Sequence, residues 1–293
     1  MDVSVIMPAY NAEKFIAEAI ESVLVQKFNG TFELIIVDDA STDSTAEIVS
    51  VYQMRYADII RFSKREMNMG ANANRYEFSQ KARGRYLAFL DADDFWLTSD
   101  KLQRQVDWLE ANKSIGAIYS NAYYIDNQLA GFNSGGPEGL VPFHEMINGY
   151  ADIFCSSLVC RKDVYMRMAE DSQWYIKNGC FNDTLWAFWL SYHSLLYRMK
   201  DSLSAYRVLD NSACHSTNSE KRALLAKRYF KEKLCFLFTH DYPLDDKMEI
   251  ISKEYDYLRK NALYEGEKKV RDTKTFQVGK KIKSLLHLFD HER

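Results

Sequence analysis

A chain of 293 residues with 47% hydrophobic content is long enough for one large domain, or a domain with an appendage, around a sizeable core. Its formal net charge of -3 at pH 7 offers no basic excess, which excludes nucleic acid as the expected partner. Cys155, Cys160, Cys180, Cys214 and Cys235 are odd in number and show no CxxC spacing, which argues against a disulfide framework or zinc knuckle and fits a reducing compartment.

The N-terminus runs straight into an apolar stretch at residues 3–7, too short and too uncharged for a signal peptide. Its β-branched content fits a buried parallel strand, which Pro8 is expected to end. Residues 12–25 place Phe15, Ile16, Ala19, Ile20, Val23 and Leu24 at helical spacing. Residues 32–37 form a second apolar run, terminated by Asp38-Asp39, and Ser41 or Thr42 can cap the helix that follows. A third strand is expected at 59–62, a helix at 71–81, a fourth strand at 86–90, a helix at 101–112 and a fifth strand at 116–120. Beyond residue 121 the pattern loosens. Residues 132–139, rich in Gly, Asn and Pro, read as a loop; 153–161 reads as a further strand and 184–195 as an aromatic helix. From Glu220 the composition turns helical and charged, which puts a boundary near 217. No stretch approaches the roughly 18 apolar residues of a spanning helix, so a cytoplasmic globular protein is expected.

Strand–helix alternation of this kind predicts a mostly parallel sheet with helices on both faces. Ligands bind such sheets beyond the carboxyl ends of the strands. Three places qualify: the Pro8-Ala9-Tyr10-Asn11 turn, Asp38-Asp39, and Asp91-Ala92-Asp93-Asp94. Carboxylates crowded at one strand end raise each other's pKa unless a cation joins them, and hard divalent ions prefer oxygen ligands. A solvated acidic turn with a helix-capping Asp94 or Asp100 explains the cluster equally well on its own. Asp38-Asp39 can accept hydrogen bonds from a base or ribose, or serve as a loop charge.

The order of the pieces separates these readings. Val5-Ile6-Met7-Pro8-Ala9-Tyr10-Asn11 is followed by Leu34-Ile35-Ile36-Val37-Asp38-Asp39-Ala40-Ser41-Thr42-Asp43. Asn68-Met69-Gly70 and Arg75 come next, and then Ala88-Phe89-Leu90-Asp91-Ala92-Asp93-Asp94. This series resembles the inverting family 2 glycosyltransferases of the GT-A fold, densely over residues 3–120 and sparsely to about 215. The resemblance implies a Rossmann-like α/β catalytic domain at 1–217. Its nucleotide-sugar half would span about 1–120 and its acceptor half about 121–217, with a helical extension at 218–293. It implies that Pro8, Tyr10 and Ala92 line the nucleotide pocket, that Asp39 reads the base, and that Arg75 lies near base or diphosphate. It places Asp91 by the ribose or metal and Asp93 on Mn2+ or Mg2+. The donor would be a nucleotide sugar, typically a UDP-sugar. The acceptor would be a glycan or lipid-linked saccharide in surface polysaccharide synthesis.

Inverting transfer also needs a carboxylate to deprotonate the acceptor hydroxyl. The resemblance assigns that base to Asp183 in Phe181-Asn182-Asp183-Thr184-Leu185-Trp186, where Asn182 replaces the family's usual Glu. Asp183 also suits the N-cap of the helix it opens. Ser204-Ala205-Tyr206-Arg207-Val208-Leu209 resembles a Tyr-Arg-x-His stretch in which Leu209 replaces the His, and no spacing rule puts His215 in its place. Ser156-Ser157 falls in a segment that often borders the acceptor pocket, and a plain buried strand explains it as well. Trp96, Trp186 and Trp189 can stack on sugars, although helical spacing favours a core role for the last two.

Near the C-terminus Val278, Ile282, Leu285, Leu286 and Phe289 form one apolar helical face, with Lys280, Lys281 and Lys283 off the stripe. A basic amphipathic helix can rest on an anionic membrane surface, making the protein peripheral at its inner face; docking on the catalytic domain or on a second copy in a homodimer is the alternative. Two rival functions remain: a catalytically impaired glycan- or nucleotide-binding module, favoured by Asn182 and Leu209, and a nucleotidyltransferase. The absence of glycine in Pro8-Ala9-Tyr10-Asn11 counts against the nucleotidyltransferase, and the lack of G-x-G-x-x-G argues against a dehydrogenase.

Overall fold

The computed structural model describes residues 1–125, 131–148, 153–172 and 183–209, and short helical pieces between 233 and 256. The side chains of 131–134 and 183–186 lie outside that description. So do Asn182, His215 and the amphipathic pattern at 278–289. The chain divides into two compact units, Met1–Val208 and Leu209–Arg293.

The first unit is built on a ten-stranded sheet. In chain order its strands are β1 (Val3–Ala9), β2 (Phe32–Asp38), β3 (Ile60–Lys64), β4 (Tyr86–Phe89), β5 (Phe95–Trp96), β6 (Ile115–Ile125), β7 (Gly131–Ser134), β8 (Gly139–Val141), β9 (Val159–Arg161) and β10 (Leu195–Arg207). The spatial order is β3-β2-β1-β4-β9-β6-β10-β5, with β7 beside β6 and β8 beside β10. The pairs β3–β2, β2–β1 and β1–β4 are parallel, as is β6–β10. The short strand β9 pairs antiparallel with both β4 and β6, so the long strands on either side of it still run the same way. The mostly parallel sheet expected from the alternation is therefore present, divided by the reversed strand β9, with β5, β7 and β8 added antiparallel to β10 and β6.

Helices α1 (Ile16–Leu24), α2 (Thr45–Arg55), α3 (Ala71–Lys81) and α4 (Lys101–Ala111) connect the first six strands. Helices α5 (Phe143–Ile147), α6 (Lys162–Asp171) and α7 (Asp183–His193) follow. The core beside β1 and β2 takes Ile16, Ala19, Ile20 and Val23 from α1 and Leu102, Val106 and Leu109 from α4, at helical spacing.

Three expectations are corrected. Pro8 does not end β1, which runs on to Ala9. The reason is edge geometry: β4 pairs with β1 only as far as Ile6, so at Pro8 the strand has β2 alone as its neighbour and a missing N–H is tolerated. Residues 12–15 form a turn ahead of α1, which begins at Ile16, and Ala12 and Glu13 donate their amides to Thr45 Oγ1 (2.8 Å) and Asp43 Oδ2 (3.0 Å), which ties that turn to the second loop. The Gly-rich segment 132–139 is not simply a loop. It contains β7 and the start of β8. Its turn is held by the Asn121 side chain, which accepts from Gly136 N–H (3.1 Å) and donates to Gly136 O (3.1 Å).

Candidate active site

The carboxyl ends of β1, β2 and β4 lie side by side, and the three motif loops leave from them. The first two loops are joined residue by residue. Asp39 N–H donates to Ala9 O (2.8 Å), Asn11 N–H to Ser41 Oγ (2.9 Å), and Thr42 N–H to Asn11 Oδ1 (2.9 Å). Asn11 and Ala40 adopt positive φ (49° and 64°), a conformation that non-glycine residues hold only under local constraint. Neither Ser41 nor Thr42 caps α2: the cap position is Ser44, and the Asp43 carboxylate before it accepts from Thr45 N–H (3.0 Å). Pro8 is buried within β1, while Tyr10 stands about half exposed at the rim.

Asp39 is almost fully buried, and its carboxylate accepts from the backbone of Met69 (2.9 Å) and Gly70 (2.8 Å). This bond pair fixes the turn before α3, where Gly70 has φ 87°. Asp38 is fully buried; one oxygen accepts from Ser41 N–H (3.3 Å) and the other, Oδ2, has no hydrogen-bond partner. On α3, Arg75 is buried and donates to Asn72 Oδ1 (2.8 Å) and to Asp91. Arg75 and Asp91, sixteen residues apart, are thus a direct ion pair.

Asp91, Ala92, Asp93 and Asp94 form a tight turn closed by Asp94 N–H donating to Asp91 O (3.0 Å). Its carboxylates are in different environments. Asp91 is partly exposed and neutralised by Arg75. Ala92 is buried. Desolvation, and then the Asp91 charge, push the Asp93 carboxyl up to about 6. Asp94 is buried, and burial followed by the charges of Asp93 and Asp91 raises it well above the carboxylate range. Both its oxygens are engaged: Oδ1 accepts from Arg207 N–H (3.0 Å) and Oδ2 from the Ser156 hydroxyl (2.8 Å).

Two contributors come from far along the chain. Ser156, in a short 3-10 turn at Cys155–Ser157, also accepts from Asp91 N–H (3.1 Å). Arg207, at the end of β10, donates to Asp93 O (2.8 Å) and pairs with Glu18 on α1. Its guanidinium lies over the rings of Phe15 and Phe95. Nothing in the sequence assigns Ser156 or Arg207 a part in the acidic turn. Two adjacent serines inside an otherwise apolar run were the available signal.

Trp96 is buried rather than placed to meet a sugar: its ring N–H donates to Ser156 O (2.8 Å) and the Lys101 ammonium lies 4.4 Å from its ring centroid. Trp189 is likewise buried. Asp183 is the first residue of α7, and its side chain lies outside the described residues. The far end of α7 is tied to α6 by His193 and Asp171 (3.2 Å).

Among the described residues no group of three or more His, Cys, Asp or Glu side chains is arranged to hold a metal ion. The fit for a divalent ion is therefore partial. A partly buried carboxyl strained by a like charge is relieved by a cation, and magnesium-type ions characteristically take one or two protein carboxylates and complete their shell with phosphate oxygens and water. Asp93 meets that condition; Asp91 is compensated already and Asp94 is fully engaged.

The profile described as Glycosyl transferase family 2 matches residues 4–172, more than half of the chain. The chain belongs to glycosyl transferase family 2. Among members named for their roles, the glycosyltransferase TuaG of Bacillus subtilis, named for teichuronic acid biosynthesis, is 33% identical over 226 residues, covering 75% of this chain and 84% of that protein. An Escherichia coli protein, named UDP-Glc:alpha-D-GlcNAc-diphosphoundecaprenol beta-1,3-glucosyltransferase WfaP, is 36% identical over 159 residues, 54% of this chain and 59% of its own. Against an uncharacterized Mycobacterium tuberculosis protein the identity is 39% over 107 residues, 36% of this chain, so the match spans under a third (31%) of that relative's length. The fold is that of Staphylococcus aureus TarS, solved with UDP-GlcNAc (TM-score 0.68, 18% identity, 95% of this chain and 79% of that one). It is also that of the Pyrobaculum calidifontis mannosyltransferase PcManGT, solved with GDP-Man and Mn2+ (TM-score 0.58, 16% identity, 98% and 87%). This family 2 chain thus has the GT-A sheet expected from its motif series.

Proposed function

We propose that this family 2 glycosyltransferase is an inverting, metal-dependent enzyme. It would move a sugar from a UDP-sugar to a glycan or lipid-linked saccharide in surface polysaccharide synthesis. The observation that carries the reading is the gathering of Asp39, after β2, and Asp91 and Asp93, after β4, at one end of the parallel strands, with Arg75 reaching Asp91 from α3. TarS with UDP-GlcNAc, and WfaP with its UDP-Glc donor and diphosphoundecaprenol acceptor, support the nucleotide and acceptor class.

In this reading Asp93 holds Mn2+ or Mg2+, the kind of ion that neutralises negative charge on a departing diphosphate. Arg75 keeps Asp91 oriented, so that its exposed oxygen can receive the ribose. Pro8, Tyr10 and Ala92 shape the wall around the nucleotide and Asp39 faces the base. The acceptor hydroxyl attacks the anomeric carbon. The new C–O bond forms as the bond to the diphosphate oxygen breaks, and Asp183 takes the hydroxyl proton while nucleoside diphosphate leaves. Peripheral contact with the inner membrane face through residues 278–289 rests on their sequence pattern. No described helix is long and apolar enough to cross a membrane.

A thermal-shift screen of nucleotide sugars, with and without Mn2+, should single out the donor, because ligand binding stabilises the fold by mass action. Asp93→Ala and Asp183→Ala should each then lose transfer of that donor's sugar; full transfer by both would refute the reading. Asn182 and Leu209 favour a second reading, a binding module that holds donor without turning it over. Donor binding with no transfer and no hydrolysis in the wild-type chain would decide for it.

A further inference from the structure

We infer that Ser156 is a positioning residue for the acidic turn, acting through Asp94 to set the backbone that carries Asp91 and Asp93. This rests on the proposed donor site. Four observations meet at one side chain and its carbonyl. The Ser156 hydroxyl donates to Asp94 Oδ2 (2.8 Å) and the same oxygen accepts from Asp91 N–H (3.1 Å). It therefore bridges the first and last residues of the turn. The residue is fully buried, so water cannot substitute for either bond. Its carbonyl accepts from Trp96 Nε1 (2.8 Å), which fixes the backbone behind the hydroxyl, and as a second, dispensable partner takes Ser204 Oγ (2.9 Å). The opposite oxygen of Asp94 accepts from Arg207 N–H, and the Arg207 guanidinium reaches Asp93 O, so Asp94 is clamped between β10 and the 155–157 turn.

This arrangement divides the acidic run. Asp94 faces inward and is saturated by Ser156 and Arg207. Asp93, between two fixed residues and without a compensating side chain of its own among the described residues, is the carboxylate left to face a metal ion. Groups that hold a liganding residue in place from outside the coordination shell are worth on the order of 10–100-fold in metal affinity. A buried hydroxyl that merely filled space would contribute to stability and nothing else.

The test is a Mn2+ titration followed by electron paramagnetic resonance of the free ion, with UDP saturating. The proteins are the full-length wild type, Ser156→Ala and Ser204→Ala. Ser204→Ala removes a buried hydrogen bond from the same turn, yet leaves the Ser156 hydroxyl and, through Trp96, the satisfied carbonyl. Ser156→Ala is expected to weaken Mn2+ binding about 10–100-fold. Ser204→Ala should keep wild-type affinity at a similar loss of melting temperature. Equal affinities in wild type and Ser156→Ala would overturn the positioning role while leaving the donor site intact. A wild-type chain that holds no Mn2+ beside UDP would overturn the donor site and the positioning role together. Should Ser156→Ala fail to fold, Ser156→Cys, near in volume but weak as donor and acceptor, is measured under the same criteria.

Discussion

Asp93 is held in a condition that disfavours its own charge. With a folded pKa near 6 against an ordinary 3.8, it binds a proton more tightly in the folded chain than in the unfolded one. Stability is therefore lost as pH rises from 3.8 through about 6, and the penalty is complete above that. Asp93→Asn should stabilise the ligand-free protein at pH 7.5 by about 1–3 kcal/mol, with a correspondingly higher melting point, while lowering transfer by at least about 100-fold; calorimetry and a donor-turnover assay check both halves. Because a liganding carboxylate must be ionised, Mn2+ binding should also weaken as pH falls through about 6. Asp93 was legible in the sequence, since it stands after an apolar strand in an ordered series. The division of labour among Asp91, Asp93 and Asp94 was not. It depends on Arg75, Ser156 and Arg207, which lie 16, 65 and 113 residues away from their partners.

At the scale of elements, the turn before α3 depends on two amide bonds to Asp39. Removing a buried acceptor leaves both amides unsatisfied, at about 1–3 kcal/mol. Asp39→Ala should lower stability to denaturant by about that amount and speed amide hydrogen exchange at Met69 and Gly70 above that of β1. The same variant should weaken UDP binding if Asp39 also meets the base. Helix α4, with its apolar residues at helical spacing, was readable to one residue at its end, and α3 occupies 71–81 as expected although it buries mostly polar side chains. The strands beyond residue 121 were obscure for a physical reason. β10 pairs with three partners and shifts register near Lys200 and Asp201, so its side chains do not alternate cleanly between inside and outside. β9 has three residues, too few to show a period.

For the whole molecule, the most telling buried charge is outside the site. Lys101 is fully buried, donates to Gln105 Oε1 (2.7 Å), and desolvation lowers its pKa to about 7. Below pH 7 both folded and unfolded chains carry the proton and the burial penalty is at its fullest. Between about 7 and 10.5 only the unfolded chain keeps it, so stability climbs with pH. Lys101→Met should melt higher than wild type at pH 6, with the gap closing by pH 9, as scanning calorimetry across that range would show. The unit Met1–Val208 carries the whole described sheet, and expressed alone it should unfold in one cooperative transition. The insertion of β9 between β4 and β6 bears on how a ribosome delivers this protein. When residue 120 has emerged, every piece of the donor motif series is outside the tunnel, but the edge of β4 is bare and the acidic turn lacks both its clamps. Those clamps arrive with residues 156 and 207, and the ion pair of Glu18 with Arg207 spans 189 positions. The nascent donor half must therefore wait with an open strand edge, a state prone to wrong pairing, until the reversed strand and β10 close it.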